Sequence, residues 1–330
     1  MTRLGLTPAA IPGLVLSAAL AFAAMFISRQ ITAFPVSPMI LAACLGMASA
    51  GAFGRLAWTA AGNGFILRRL LRLAIVLLGL QLTLGDLLGL GAGAAIVILT
   101  ALVATFFFTR WLGGVMGVSP GLSELLAAGT AICGASAIVA TNSVTRASQE
   151  DAIYAVVIIS FFGSIAMFAF PALYQVLPLD PRAYGVWAGG SVHEVAQVVA
   201  AGFQAGQSEG EVAMVAKLLR VMAMAPMILA LGFFAARRAG GEDNARPPAP
   251  WFVFGFLALV VINSIVAVPA SVKQGAQWAT VFMLTLSLAA LGLETNWRKL
   301  REGGLKPLAL GGAATLFIAV VCLLGVWLVR

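Results

Sequence analysis

At 330 residues, 61% hydrophobic and only 10% charged, the chain stands far from the roughly 25% charged residues of soluble domains and is excluded from that class. Its net charge of +8 would suggest nucleic acid on a soluble protein, but the basic residues fall between apolar runs rather than in one stripe. Nucleic acid is therefore excluded as a partner, and the charge is read as loop charge on a membrane protein.

A helix needs about 20 apolar residues to cross the hydrocarbon core. The chain has room for about eleven, predicted at 11–28, 33–53, 70–89, 91–109, 119–145, 151–177, 184–205, 211–236, 251–268, 274–294 and 307–329. No stretch between them is long or polar enough for a soluble domain, so residues 1–330 read as a single transmembrane domain. The first run, Ile11 to Ile27, resembles a signal peptide with Ala21-Phe22-Ala23 as a cleavage site. Because similar runs follow at once, it is read as a retained first span. Residues 237–250, with Gly240-Gly241 and Pro247-Pro248, form a polar connector between spans eight and nine. Cys44, Cys133 and Cys322 lie inside apolar runs with no CxxC or Cys/His spacing, so neither a disulfide framework nor a metal site is expected.

With the N-terminus inside, the inner segments carry Arg3, Arg55, Arg68, Arg69, Arg72, Arg110, Arg182, Arg237, Arg238, Arg246, Arg298, Lys299, Arg301 and Lys306. The outer segments carry Arg29, Arg146, Lys273 and Arg330. That asymmetry places the N-terminus and the 237–250 connector in the cytoplasm and the C-terminus outside the inner membrane. An internal echo adds to the transporter-like pattern. Leu78-Gly79-Leu80-Gln81 closes span three and Leu291-Gly292-Leu293-Glu294 closes span ten. An odd number of spans separates them, so the copies run in opposite directions, as in inverted repeats; chance recurrence of Leu and Gly is the rival explanation.

Three spans carry polar groups at depth. In span five, Gly129-Thr130-Ala131-Ile132-Cys133-Gly134-Ala135-Ser136 can open the backbone, and a half-helix starting after Gly134 would aim free N–H groups and its positive dipole end inward, an anion site. Close helix packing through small residues is the alternative. In span seven, Gly189-Gly190-Ser191-Val192-His193-Glu194 precedes Gln197. The only histidine thus sits beside a carboxylate, and ionisable groups at that depth face a cavity or a partner. Span eight carries Lys217 and Arg220 on one face. Either they snorkel to the boundary, or they pair with Glu194 or line the path of an anion. Spans five and seven are separated by an even count, which makes them parallel, against the inversion implied by the echo. A permuted repeat, a re-entrant segment or a mistaken pairing would each resolve this.

The Gly129–Ile138 stretch, Ser191-Val192-His193-Glu194-Val195-Ala196-Gln197-Val198 and the Leu291–Thr295 closing motif resemble the YeiH-type family of bacterial inner-membrane proteins, which carries a sulfate-exporter label. The order of spans is also similar to that of bile acid:sodium symporters. The resemblance implies the fold of the cation/proton antiporter and anion transporter superfamily, with crossing interrupted helices. It also implies Thr130, Cys133, Gly134, Ser136, Ser191, His193, Glu194 and Gln197 as site residues; Lys217 and Arg220 join them on the charge argument above.

The expected fold is an all-α polytopic membrane protein with interrupted helices in an inverted repeat. Its expected function is a secondary transporter, not an enzyme, that exports or exchanges a small anion such as sulfate or a related sulfur oxyanion. No GxxxxGK[ST] loop occurs, so ATP is not expected as the chain's own energy source, and proton coupling through His193 and Glu194 is. No cofactor is expected. The partners are the lipid bilayer, the anionic solute and, in a homo-oligomer, further copies of the chain. The alternatives are a sodium or proton antiporter, which usually needs carboxylates, and an intramembrane enzyme with Cys133 as nucleophile and His193–Glu194 as acid–base groups.

Overall fold

The computed structural model describes residues 8–30, 37–53, 56–145, 147–239, 251–295 and 304–329, and among them every regular element is a helix. Among the described residues six helices are long and apolar enough to cross a membrane: Pro8–Gln30, Gly91–Met116, Gln149–Tyr174, Gln207–Phe233, Ala270–Leu293 and Leu305–Val329. Shorter apolar helices accompany them at Pro38–Ala52, Val195–Ala205 and Trp251–Ile265. Helix is the form such segments must take, because it pairs every backbone polar group within one segment where no water can. Most of the 237–250 connector, together with Arg3, Arg55, Arg146, Arg298, Lys299, Arg301 and Arg330, lies outside the described residues.

The chain divides into two compact units, Met1–Gly89 with Trp251–Trp297, and Leu90–Pro250 with Arg298–Arg330. The first contains α1 (Ile11–Gln30), α2 (Pro38–Phe53), α3 (Ala60–Phe65), a π turn (Ile66–Leu70) and α4 (Leu71–Leu78), which ends in a 3-10 turn (Gly79–Gln81). It also contains α5 (Leu84–Gly89), α14 (Trp251–Ile265) and α15 (Ala270–Leu293). The predicted span 70–89 is shifted. Helix runs unbroken through Arg68 and Arg69 from Ala60 and stops at Gln81. Charge alone does not end a helix, since a long arginine stem can lie along an apolar surface.

Ala21 of α1 packs with Ile66, Leu286 and Ala290, and Ala24 with Ala42 and Ala289. Buried Asn63 joins three elements: it accepts from Ser17 Oγ at 3.1 Å and donates to Thr59 Oγ1 at 3.1 Å and to Glu294 Oε1 at 3.0 Å. Both copies of the Leu-Gly-Leu echo fall in this unit. Asn63, just before α4, meets Glu294 at the far end of α15, so the helices carrying the two copies run antiparallel.

The second unit is framed by α6 (Gly91–Met116) and α16 (Leu305–Val329), which run antiparallel, Gly93 lying against Val329 and Gly113 against Leu310. Between them lie α7 (Pro120–Ala131), α8 (Ala135–Thr145), α9 (Gln149–Tyr174), α10 (Pro181–Ser191), α11 (Val195–Ala205), α12 (Gln207–Met222) and α13 (Met224–Ala239).

Predicted spans five and seven are interrupted where expected, but neither crosses the unit. A Cβ on Gly121 would lie 2.8 Å from Ala147 Cβ, and one on Gly129 would lie 3.0 Å from Ile138 Cδ1. A straight helix would set residues 121 and 147 roughly 40 Å apart at 1.5 Å per residue, so α8 folds back along α7. Likewise Tyr184 Oη donates to the Ala201 carbonyl at 2.9 Å, a pair that a straight helix would place roughly 25 Å apart; α11 folds back along α10.

The sequence supports each entry locally. Ser119 caps α7 ahead of Pro120 and Asp180 caps α10 ahead of Pro181, each side chain accepting a backbone N–H two residues after the proline. The hairpins enter from opposite ends of the unit. The first opens where α6 ends and α9 begins, Ser119 Oγ lying 3.5 Å from Asp151 Oδ2. The second opens where α9 ends, the Tyr174 ring lying tilted against that of Tyr184 with centroids 4.3 Å apart and its hydroxyl donating to Glu209 Oε1 at 3.1 Å. From there α12 returns between α10 and α11, and Gly189 lets its backbone approach the Ala213 carbonyl more closely than any side chain would permit.

Candidate functional site

The two hairpin tips meet. The first is the turn Ile132-Cys133-Gly134, where Gly134 takes φ +69°, a conformation that favours glycine. The second is the extended stretch Val192-His193-Glu194. A Cβ on Gly134 would lie 2.6 Å from Glu194 Cγ, so only hydrogen fits between the tips.

Four helix ends converge at this junction, and each leaves backbone groups without intrahelical partners. The last four carbonyls of α7 are all accounted for. Ala128 and Gly129 accept the N–H groups of Ile132 and Gly134, at 3.0 and 2.9 Å. Thr130 and Ala131 accept from Arg220 Nη2 and Nε, at 2.6 and 3.0 Å. Arg220 Nη1 reaches the Gly189 and Val192 carbonyls of the other tip, at 3.2 and 3.0 Å. Lys217 Nζ donates to the carbonyls of Ile132 at 2.8 Å, Val192 at 2.9 Å and His193.

Both cations are fully buried. They neither snorkel nor form an ion pair with Glu194, whose carboxylate takes other partners. With three of three ammonium protons committed, Lys217 is not free to line a solute path in this conformation. The physical reason is the negative end of two helix dipoles, where positive charge is stabilised.

The positive ends are matched by a built-in anion. Glu194 precedes α11 and accepts from the Ala135 N–H at the start of α8 and from Ser160 Oγ at 3.0 Å. Gln197 fixes it in place: its Oε1 accepts the Glu194 N–H at 3.1 Å, and its Nε2 donates to the Ser160 carbonyl at 3.2 Å and to Ser164 Oγ at 3.4 Å.

His193 is fully buried, its Nε2 lying 3.1 Å from Thr315 Oγ1. That hydroxyl already donates to the Gly311 carbonyl at 2.7 Å. The histidine must therefore donate from Nε2, which leaves Nδ1 as a bare acceptor. Nδ1 is buried without a hydrogen-bond partner, as is Thr130 Oγ1.

Of the residues singled out in the sequence, Thr130, Gly134, His193, Glu194, Gln197, Lys217 and Arg220 come together at the tips. Cys133 is buried there with its thiol against Met224 Sδ at 3.9 Å. Ser191 turns away, its hydroxyl 3.5 Å from the Ile318 carbonyl of α16, and Ser136 sits on an exposed face of α8. Ser160, Ser164 and Thr315 were missed. Single hydroxyls in apolar helices commonly bond back to their own turn, as Ser164 does to Ser160 at 2.8 Å, and nothing in their sequence context sets them apart.

Residues 12–311 match the family model for conserved hypothetical protein 698. A UPF0324 membrane protein of Pseudomonas aeruginosa is 38% identical over 94% of this chain and 91% of its own length. The UPF0324 membrane protein TauZ of Paracoccus denitrificans is 36% identical, covering 97% and 96%. The UPF0324 inner membrane protein YeiH of Escherichia coli is 33% identical, covering 90% and 88%. No solved structure matches the chain.

Proposed function

The chain belongs to the family of conserved hypothetical protein 698, the UPF0324 membrane proteins, and from that premise we propose that it is a secondary transporter exporting or exchanging a small anion, with a sulfur oxyanion such as sulfate as the leading candidate. The observation that carries this reading is the meeting of two broken-helix tips in the interior of an apolar unit. Two buried cations and one carboxylate lie there, a positive surplus. Broken helices that line a binding site are a recurring transporter device, and helix N-termini are ready anion sites.

A sodium or proton antiporter has less support, because the junction offers one carboxylate and its carbonyls are already taken by Lys217 and Arg220. An enzyme has less support again, because the Cys133 thiol faces Met224 rather than His193 or Glu194.

In this reading Glu194 holds the place of the substrate. Its carboxylate occupies the Ala135 N–H, and protonation of Glu194 or His193 releases that donor or adds positive charge as the oxyanion enters. Lys217, Arg220, Cys133 and His193 are the other titratable groups at the junction. Loading is then linked to proton uptake, so anion binding tightens as pH falls. The test is counterflow of labelled sulfate in proteoliposomes as a function of pH, with Glu194→Gln and His193→Gln, which keep hydrogen bonding but cannot titrate. Counterflow whose pH dependence flattens in one variant is expected. Absence of counterflow with sulfate, sulfite and sulfonates overturns the transporter reading, and an unchanged profile in both variants overturns the coupling.

The two hairpins also support an inverted architecture. The run α7–α8–α9 and the run α10–α11–α12–α13 are each a hairpin followed by a crossing helix, entered from opposite sides. We read the chain as nine crossings and two re-entrant hairpins rather than eleven crossings. The side bearing Arg110, Arg237, Arg238 and Lys306 is cytoplasmic by charge, and the side bearing Arg182 is external. A cysteine placed at Gln149 should then react with a membrane-impermeant maleimide only from the cytoplasm, and one at Val176 only from outside. Eleven crossings demand the reverse at both positions.

A further inference from the structure

Lys217 is the one group at the junction whose surroundings resemble the coordination of a free ion. Its Nζ is held by three backbone carbonyls from two different chain breaks, Ile132 of the first tip and Val192 and His193 of the second, and it makes no ion pair among the described residues. Convergent main-chain carbonyls of unwound helices are the means by which transporters hold a dehydrated monovalent cation, the carbonyls replacing its hydration shell. Here the position is filled by an ammonium carried on the protein's own α12.

We propose that Lys217 is a tethered substitute for a coupling cation: the carbonyl cage at the hairpin tips is a monovalent-cation site permanently occupied by the side chain, so the protein needs neither sodium nor potassium to bring its two tips together. The part of this that concerns transport rests on the anion-transporter reading. The part that concerns the cage does not.

Three features favour this over a generic buried charge. First, one ammonium satisfies carbonyls from both tips, which is the role an ion would play in closing them. Second, Arg220, one turn away, handles the remaining α7 carbonyls with a planar fork, so the compact point charge is used only where ligands converge from several directions. Third, Lys217 is fully buried, so removing it leaves a vacancy lined by carbonyls rather than a surface gap.

The experiment compares native protein and Lys217→Ala in detergent, measuring the thermal midpoint in choline chloride, sodium chloride, potassium chloride and ammonium chloride at equal ionic strength. The native midpoint is expected to be the same in all four. The variant should melt lower in choline and recover by at least a few degrees in one or more of the small cations, through binding to the folded state alone. A folded variant that responds to none of them overturns the inference, as does a native protein stabilised by sodium or potassium over choline. Should the variant fail to purify, sulfate counterflow by the native protein decides the matter. Replacing sodium and potassium by choline on both sides must leave the rate unchanged, and a rate that collapses without either ion overturns the inference. If no anion counterflow exists at all, the transporter reading falls while the thermal comparison still reports on the cage.

Discussion

Replacing Arg220 by methionine should cost the protein a large part of its stability, the largest single-residue effect expected in the second unit. The guanidinium donates to four carbonyls, those of Thr130, Ala131, Gly189 and Val192, and methionine fills comparable volume while donating nothing. A buried acceptor left without a donor costs about 1–3 kcal/mol. Three of the four carbonyls have no second donor among the bonds described above, Val192 keeping Lys217. Allowing for relaxation, the loss is on the order of 3–5 kcal/mol, a large part of the 5–15 kcal/mol that typically holds a folded domain together. The readout is the fraction of protein that elutes as a single species from detergent extraction, together with its thermal midpoint. Arg220→Lys should fall between, because an ammonium supplies three donors without the planar fork. Glu124→Gln serves as the control. Its pair with Arg110 spans 3.5 Å at a partly exposed position, where such contacts contribute about 0–1 kcal/mol. Equal losses at Arg220 and Glu124 would remove the arginine from its structural role.

The comparison between sequence and structure turns on which features leave a mark in residue types. Crossing helices leave one, because roughly 20 apolar residues in a row serve little else, and α1, α6, α9, α15 and α16 lie close to where composition puts them. Chain breaks leave one as well: Gly134, and the polar run Ser191-Val192-His193-Glu194, mark both tips to within a residue or two. The direction of the chain after a break does not, since an 11-residue half-helix reads the same whether it continues or doubles back.

Counting basic loop residues does not distinguish nine crossings from eleven. Two consecutive re-entrant hairpins would restore the alternation and leave the total asymmetry unchanged. The roles of Lys217 and Arg220 were hidden for a related reason. Their partners are carbonyl oxygens, which every residue possesses and no residue type marks. The conflict between parallel interrupted spans and an inverted echo dissolves at the same point: the half-helices belong to hairpins entering from opposite ends, and the echo lies in the other unit.

Gly134→Ala should separate folding from ligand binding at the tips, and a double-mutant cycle can show why. The residue sits at φ +69°, and a left-handed conformation costs an alanine roughly 1–2 kcal/mol. The added methyl would also lie 2.6 Å from Glu194 Cγ, 3.2 Å from Oε1 and 3.4 Å from Cδ. Relief requires the carboxylate to leave the Ala135 N–H and Ser160 Oγ, or the tips to part and loosen Lys217. In either case the added methyl stands at the mouth of the α8 N-terminus, where the oxyanion has to approach, so sulfate-dependent thermal stabilisation should vanish while the protein remains extractable. Glu194→Ala alone forfeits the bonds to Ser160 and Ala135 but introduces no clash. In the double variant the methyl occupies space the carboxylate has vacated, and only the backbone strain persists. The double variant should therefore lose less stability than the two single losses combined, with a coupling between about 0.5 and 3 kcal/mol, as for residues in direct contact. Strict additivity would mean that Gly134 and Glu194 do not touch in the folded protein, and the junction of the two tips would have to be redrawn.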